Sequence, residues 1–257
     1  MRLRALVALA ALPLAAVLAG CSHLPGEVAA QGTPPRPDQV TDFRALYNAN
    51  CRACHGENGQ NGPAMDLANP EFQALVDDNT LRRIISNGLP GTQMPAWAQS
   101  AGGMLTDQQI DAIIAGMRRE WAKPNAFGGA APPPFAQDQA GNPQHGQQIY
   151  QARCASCHQQ PARQQIASPI YLSLVSDQAI RSIIIAGRPD IGQPDWRLEP
   201  AGTAAGQHAV SSTPLAPQDV TDIVTYLHTL RNPGAVSAAM TPAAQQPAKP
   251  TSEKPGR

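Results

Sequence analysis

Apolar residues recur along this chain at the 3.6-residue period of helices. Ile110, Ile113, Ile114 and Met117 fall at i, i+3, i+4 and i+7, which predicts an amphipathic helix with one buried face. Val220, Ile223, Val224 and Leu227 repeat the stripe near the C-terminus. Thr106 with Gln109 three residues on reads as a capping box, and Pro217 suits the first turn of the second helix. Upstream of each stripe lies a shorter apolar pattern, Leu81-Arg82-Arg83-Ile84-Ile85 and Ile180-Arg181-Ser182-Ile183-Ile184. Each ends at a glycine, Gly88 or Gly187, which predicts a left-handed helix cap. No segment shows strand alternation with hairpin turns, so the expected fold class is all-α.

These paired patterns belong to an internal repeat. Tyr47 and Tyr150 each stand four residues before a cysteine, Asn69–Val76 parallels Ser168–Val175, and Trp97 and Trp196 follow at the same offset. Composition marks the boundaries. Residues 1–20 carry Arg2, Arg4 and an apolar run from Ala5 to Leu18, the pattern of a secretory signal and shorter than the ~20 residues of a spanning helix. Residues 21–39 are polar and proline-bearing, a flexible tether. Two domains are expected at 40–124 and 143–232, joined by a Pro/Gly-rich linker at 125–142. Residues 233–257, rich in Ala, Pro, Gln and Lys, read as a disordered tail.

Charge adds only an exclusion. Removing Arg2 and Arg4 from the 19 basic residues leaves 17 against 19 acidic ones, so nothing resembles a nucleic-acid footprint.

The chemistry lies in a pentapeptide that occurs twice, CRACH at Cys51–His55 and CASCH at Cys154–His158. C-x-x-C-H is the attachment signature of c-type haem. The thiols Cys51, Cys54, Cys154 and Cys157 bond the porphyrin, while His55 and His158 are the proximal iron ligands. A zinc knuckle would need a second Cys/His pair nearby, and a dithiol redox site needs no following histidine. Two haem c groups are therefore expected. Aromatics make up only 4% of the chain, thin for independent cores, and a buried porphyrin would supply the missing apolar surface.

With these motifs each half resembles a class I cytochrome c domain, over residues 40–123 and 143–232. The resemblance implies a small all-α fold wrapped around haem, with electron transfer as the usual activity. It also implies a methionine as sixth ligand, and Met94 in Gly-Thr-Gln-Met-Pro-Ala-Trp occupies the matching loop ahead of Met65 and Met104. Pro63 matches the proline whose carbonyl accepts from the proximal histidine. The second half departs from the pattern, with Gln193 where Met94 stands and no methionine between Cys157 and Met240. Gln193, His208 in a segment 11 residues longer than its counterpart, or an open coordination position all remain for the second iron. Trp97 and Trp196 are candidates to line the crevice, and Arg82 and Arg181 to pair with propionates. His228 aligns with Arg118 on the last helix, and His145 and His23 read as surface. The family packs a glycine of the first helix on an aromatic of the last. Gly146 and Tyr226 fit this, and Phe43 with Gly116 is the same pair with sides exchanged.

Leu18-Ala19-Gly20-Cys21 resembles the bacterial lipobox, which implies cleavage before Cys21, its lipidation and a membrane anchor. Ser22, being other than Asp, favours the outer membrane. The expectation is a lipid-anchored dihaem electron carrier facing the periplasm, exchanging electrons with other cytochromes, an oxidase or a dehydrogenase. The alternative is a peroxidase-like or small-ligand-binding enzyme with an open second haem.

Overall fold

The computed structural model describes residues 35–159, 166–197, 213–232 and Gly234. The expected signal peptide, Cys21, His208, Met240 and nearly all of the expected tail lie outside the described residues. Contacts divide the chain into Met1–Gln39, with a 3-10 turn at Pro37–Gln39, and Val40–Arg257. Both C-x-x-C-H motifs and both apolar stripes belong to the second unit.

Among the described residues five α-helices form in each half. They are α1 (Phe43–Asn50), α2 (Arg52–His55), α3 (Pro70–Leu75), α4 (Asp78–Asn87) and α5 (Asp107–Trp121), then α6 (Pro143–Arg153), α7 (Ala155–His158), α8 (Pro169–Leu174), α9 (Asp177–Ala186) and α10 (Pro217–Thr229). No strand forms among those residues, so the fold is all-α as the periodicity requires. Short polar side chains start the helices by accepting from exposed backbone N–H groups: Asp42 from Ala45 at 2.8 Å and Asp77 from Thr80 at 2.9 Å. The capping box of α5 is closed both ways, Gln109 N–H to Thr106 Oγ1 at 3.2 Å and Thr106 N–H to Gln109 Oε1 at 3.0 Å.

Both predicted stripes are interior. Ile110, Ile113, Ile114 and Met117 are buried on α5, and Val220, Ile223, Val224 and Leu227 on α10. Burying each such side chain stabilises by about 1.5–3 kcal/mol. They anchor two hydrophobic clusters, one per half. Trp121, at the end of α5, packs edge-on against Phe43 (centroids 5.4 Å apart) and Tyr47 (5.3 Å) in the first.

In each half the first and last helices cross at a glycine. A Cβ on Gly116 would overlap the Phe43 ring, so the large–small pair of the first half is real. In the second half the contact differs from expectation. A Cβ on Gly146 would meet the α10 backbone at Asp222, while Tyr226 tilts against Tyr150 with centroids 5.6 Å apart. Glycine there admits backbone against backbone.

The expected helix caps at Gly88 and Gly187 also differ. Their φ is positive, 66° and 73°, but ψ is −167° and −179°, an extended conformation open essentially to glycine alone rather than the αL form. It turns the chain so that the next loop folds back on the helix end. Leu89 N–H donates to Met94 O at 3.0 Å and Arg188 N–H to Gln193 O at 2.9 Å. Met94 and Gln193 are thereby carried on equivalent loops.

The residues between the halves are pinned. Phe127 is buried in the second cluster and Phe135 packs against the first. Buried Arg181 donates to Pro134 O (3.0 Å), Phe135 O (3.2 Å) and Thr221 Oγ1 (3.0 Å), and Arg82 pairs with Asp111. Both arginines considered for propionates are thus engaged elsewhere. Arg118 binds Val76 O (2.5 Å), Gln73 O and Asp78 (2.7 Å). Its counterpart is Arg231, bound to Leu172 O and Val175 O, each at 2.8 Å, and to Asp177 at 2.8 Å. His228, aligned with Arg118 in the sequence, is exposed and contacts Asp177 at 2.9 Å.

Gly116→Leu should overpack the α1–α5 crossing and lower stability by ~1–3 kcal/mol in urea melts. A second expected outcome concerns acid. Buried Asp222 accepts from Asn142 N–H (2.7 Å) and Gln218 Nε2 (2.8 Å) and contacts His145 Nδ1 (2.7 Å). Burial alone would raise its pKa, but these donors outweigh it and hold the carboxyl below its ordinary value. The native state then resists protonation more than the unfolded chain does. The stabilisation is complete above ~pH 4 and is lost as pH falls through the depressed native value. Asp222→Asn should flatten the acid limb of a stability–pH curve measured by urea melts.

Candidate haem-binding sites

α1 ends at Cys51, whose N–H donates to Tyr47 O at 2.8 Å, and the chain runs directly into the single turn α2. Cys51, Cys54 and His55 stand at i, i+3 and i+4, on one side of that turn. Buried Tyr47 donates its hydroxyl to Gly56 O at 2.8 Å, tying the far end of the motif to α1. α6, Cys154 and α7 repeat the arrangement.

Cys51 and Cys154 are unsuited to thiolate chemistry. Burial, reinforced by the neighbouring Cys54, pushes Cys51 up to about 12, and burial with Cys157 pushes Cys154 up to about 11. A redox dithiol or zinc ligand needs an accessible thiolate. Among the described residues no three His, Cys, Asp or Glu side chains converge as a metal cluster.

His55 Nδ1 lies 2.8 Å from Met65 O. A carbonyl only accepts, so Nδ1 carries the proton and Nε2 presents its lone pair, the orientation an iron ligand requires. Burial holds the imidazole pKa down, the Met65 bond opposes this, and the Arg188 charge adds to the lowering. The acceptor is Met65, two residues beyond the expected Pro63. Met65 packs its side chain against the first cluster, and Met104 is 70% exposed. Met94 is half-buried on the loop folded back on Gly88.

In the second half His158 Nε2 stands 3.1 Å from Gln193 Oε1. Gln193 is held by a two-bond bridge to Arg188, each N–H donating to the other's carbonyl at 2.9 Å. Tyr150, Cys154, Ile184, Leu215 and Ile223 line a cleft together with His158 and Gln193. Trp196 is buried, yet its indole Nε1–H has no partner. A buried donor left unpaired costs ~1–3 kcal/mol, and Trp196 directly follows Pro194 and Asp195, which line the cleft. Paired thiols, an imidazole and an apolar wall together fit haem c.

Comparison with known proteins agrees. Residues 38–115 match the family of cytochrome c oxidase cbb3-type subunit III, and residues 143–231 match cytochrome c. The chain is a tandem of two class I cytochrome c domains, and domains of that family bind haem c. Among individual proteins, it is 28% identical over 145 residues to the cbb3-type cytochrome c oxidase subunit CcoP of Azospirillum sp. (strain B510). That match covers 49% of this chain and 42% of the relative, so the chain spans less than half of that protein's length. A solved chain of the Kuenenia stuttgartiensis reducing HAO-like protein complex is 17% identical with a TM-score of 0.42, over 77% of this chain and 100% of that one.

Trp196→Phe keeps the ring's bulk and removes the orphaned donor. In a redox titration it should lower the midpoint of the second site and leave the first unchanged.

Proposed function

We propose that this chain is an electron-transfer cytochrome with two haem c groups, relaying single electrons between redox proteins of the bacterial envelope. Cys51 and Cys54 would hold the first haem, with His55 and Met94 on its iron. Cys154 and Cys157 would hold the second, with His158 and Gln193. The observation that carries this reading is the equivalence of the two ligand loops. Each folds back on a positive-φ glycine, presenting Met94 in one half and, in the other, Gln193 facing His158 Nε2 at 3.1 Å.

When bound, haem c supplies a one-electron iron couple. The protein's own part is to exclude water, fix the imidazole through Met65 O and choose the sixth ligand. A thioether raises the reduction potential, whereas an amide oxygen, a harder donor, favours the ferric state. Unequal ligands therefore give a high-potential first site and a low-potential second one. No acid–base side chain is required, and Asp195, the acid lining the second cleft, is bound by Arg197 at 2.8 Å. That engagement weighs against peroxidase-like chemistry.

The similarity to an oxidase subunit supports an oxidase among the partners, together with other cytochromes or a dehydrogenase. No described helix is long and apolar enough to cross a membrane. Attachment through lipidated Cys21 on the periplasmic side is part of the proposal, and the outer membrane rests on Ser22 alone.

Mass spectrometry of the mature protein should find two covalently added porphyrins. Redox titration should resolve two midpoints, the second lower, with Met94→Ala lowering the first and Gln193→Ala altering only the second. A single attached haem, or a second midpoint no lower than the first, would overturn the proposal.

A further inference from the structure

The two halves differ at the residue after the closing glycine of the fourth helix, which is Leu89 in the first and Arg188 in the second. Arg188 is 6% exposed, and its guanidinium reaches into the other half. Nη1 donates to Ala64 O at 2.8 Å and Nη2 to Gly62 O at 3.0 Å. Nε and Nη2 also grip both oxygens of Asp190, at 2.8 and 2.7 Å. Asp190, buried in turn, accepts from Asn61 N–H at 2.8 Å. Buried Asn69 completes the seam, donating to Ala186 O at 2.8 Å and Gly187 O at 3.2 Å.

Each side of this seam leads to an iron ligand. Residues 61–69 contain Met65, whose carbonyl accepts from His55. The Arg188 backbone is bridged to that of Gln193. We propose that Arg188 is a positioning residue shared by both haem sites, fixing the carbonyl behind His55 and the turn that presents Gln193. The proposal rests on the haem reading above.

The geometry explains why arginine stands here. Its rigid fork makes four directed bonds at once, two across the seam and two to Asp190, which a lysine ammonium on a flexible stem does not reproduce. Asp66 and Tyr171 also face the guanidinium. Asp66 is buried with one carboxylate oxygen unpartnered. Without Arg188 the carboxylates of Asp190 and Asp66 lose their cation, and a more negative field disfavours reduction of the neighbouring first haem. Loss of the bonds to Gly62 and Ala64 frees the Met65 segment, so the His55 ring loses its fixed orientation.

The test is redox titration with EPR on the full-length holoprotein, wild type beside Arg188→Met, Arg188→Lys and Asp190→Asn. Arg188→Met should lower the first-haem midpoint and change that haem's g-values, although the substitution lies in the other half. Arg188→Lys should restore the midpoint while leaving the g-values altered, separating charge from positioning. Asp190→Asn, which keeps the cation, should raise the first midpoint. If Arg188→Met does not mature, the other two variants decide. A first haem with wild-type midpoint and g-values in Arg188→Lys and Asp190→Asn overturns the proposal. Haemochrome content of the wild type reads the underlying assumption separately. Fewer than two attached haems defeats the haem reading, whereas two haems with an unmoved first site defeats only the role of Arg188.

Discussion

Where the first and last helices of each half cross, there is room for at most one side chain, and that restriction sets the scaffold on which both sites stand. On α5 Gly116 gives way to Phe43 of α1; on α6 Gly146 gives way to the backbone of α10. Close crossing matters because the haem-attachment turns α2 and α7 continue directly from α1 and α6. The angle of the crossing therefore aims two thiols and an imidazole. The apolar stripes of α5 and α10 hold the crossing shut, since separating the helices would expose buried aliphatic side chains at about 1.5–3 kcal/mol each. Tyr47 and Trp121 brace it in the first half, and the Tyr150–Tyr226 pair in the second.

Given one scaffold used twice, the informative positions are those where the copies diverge. Met94 and Gln193 sit on equivalent loops but carry a soft thioether sulfur and a hard amide oxygen. Arg82 lies on the surface against Asp111, while Arg181 is buried and holds the segment between the halves through Pro134 and Phe135. Arg188 bonds across the seam, where the aliphatic side chain of Leu89 has no donor to offer. The two arginine divergences in the second copy tie it to the intervening segment and to the first copy. The halves are accordingly interlocked, with Ala186 of α9 joining the first hydrophobic cluster.

Much of this is legible in the residues. Periodicity locates α5 and α10, the spacing of C-x-x-C-H places both motifs, and the exchange of large and small residues between Phe43 and Gly116 is a real contact. What escapes sequence reasoning depends on distant parts of the chain. Pro63 is the expected partner of His55, but loop geometry puts the Met65 carbonyl there, and a backbone acceptor leaves no signature in side-chain identity. His228 aligns with Arg118, yet Arg231 supplies the equivalent bonds from one turn further on. A flexible arginine reaches the same carbonyls from either register. The seam at Arg188 is invisible for a stronger reason, because its partners are the backbone of residues 62 and 64 and a carboxylate two residues away.

The seam also bears on how unequal sites can work as a pair. A sixth ligand tunes one iron, but a shared buried charge biases the neighbouring site through space and through the carbonyl that orients its histidine. Buried ion pairs contribute little net stability because desolvation offsets their attraction. The Arg188–Asp190 pair is therefore poorly explained as a stabilising device. Its two remaining bonds across the seam point instead to registry, holding the histidine side of one site and the Gln193 side of the other in fixed relation. For the two-haem carrier proposed above, that fixed relation matters more than extra stability, since a step between its haems would depend on a geometry that must not drift.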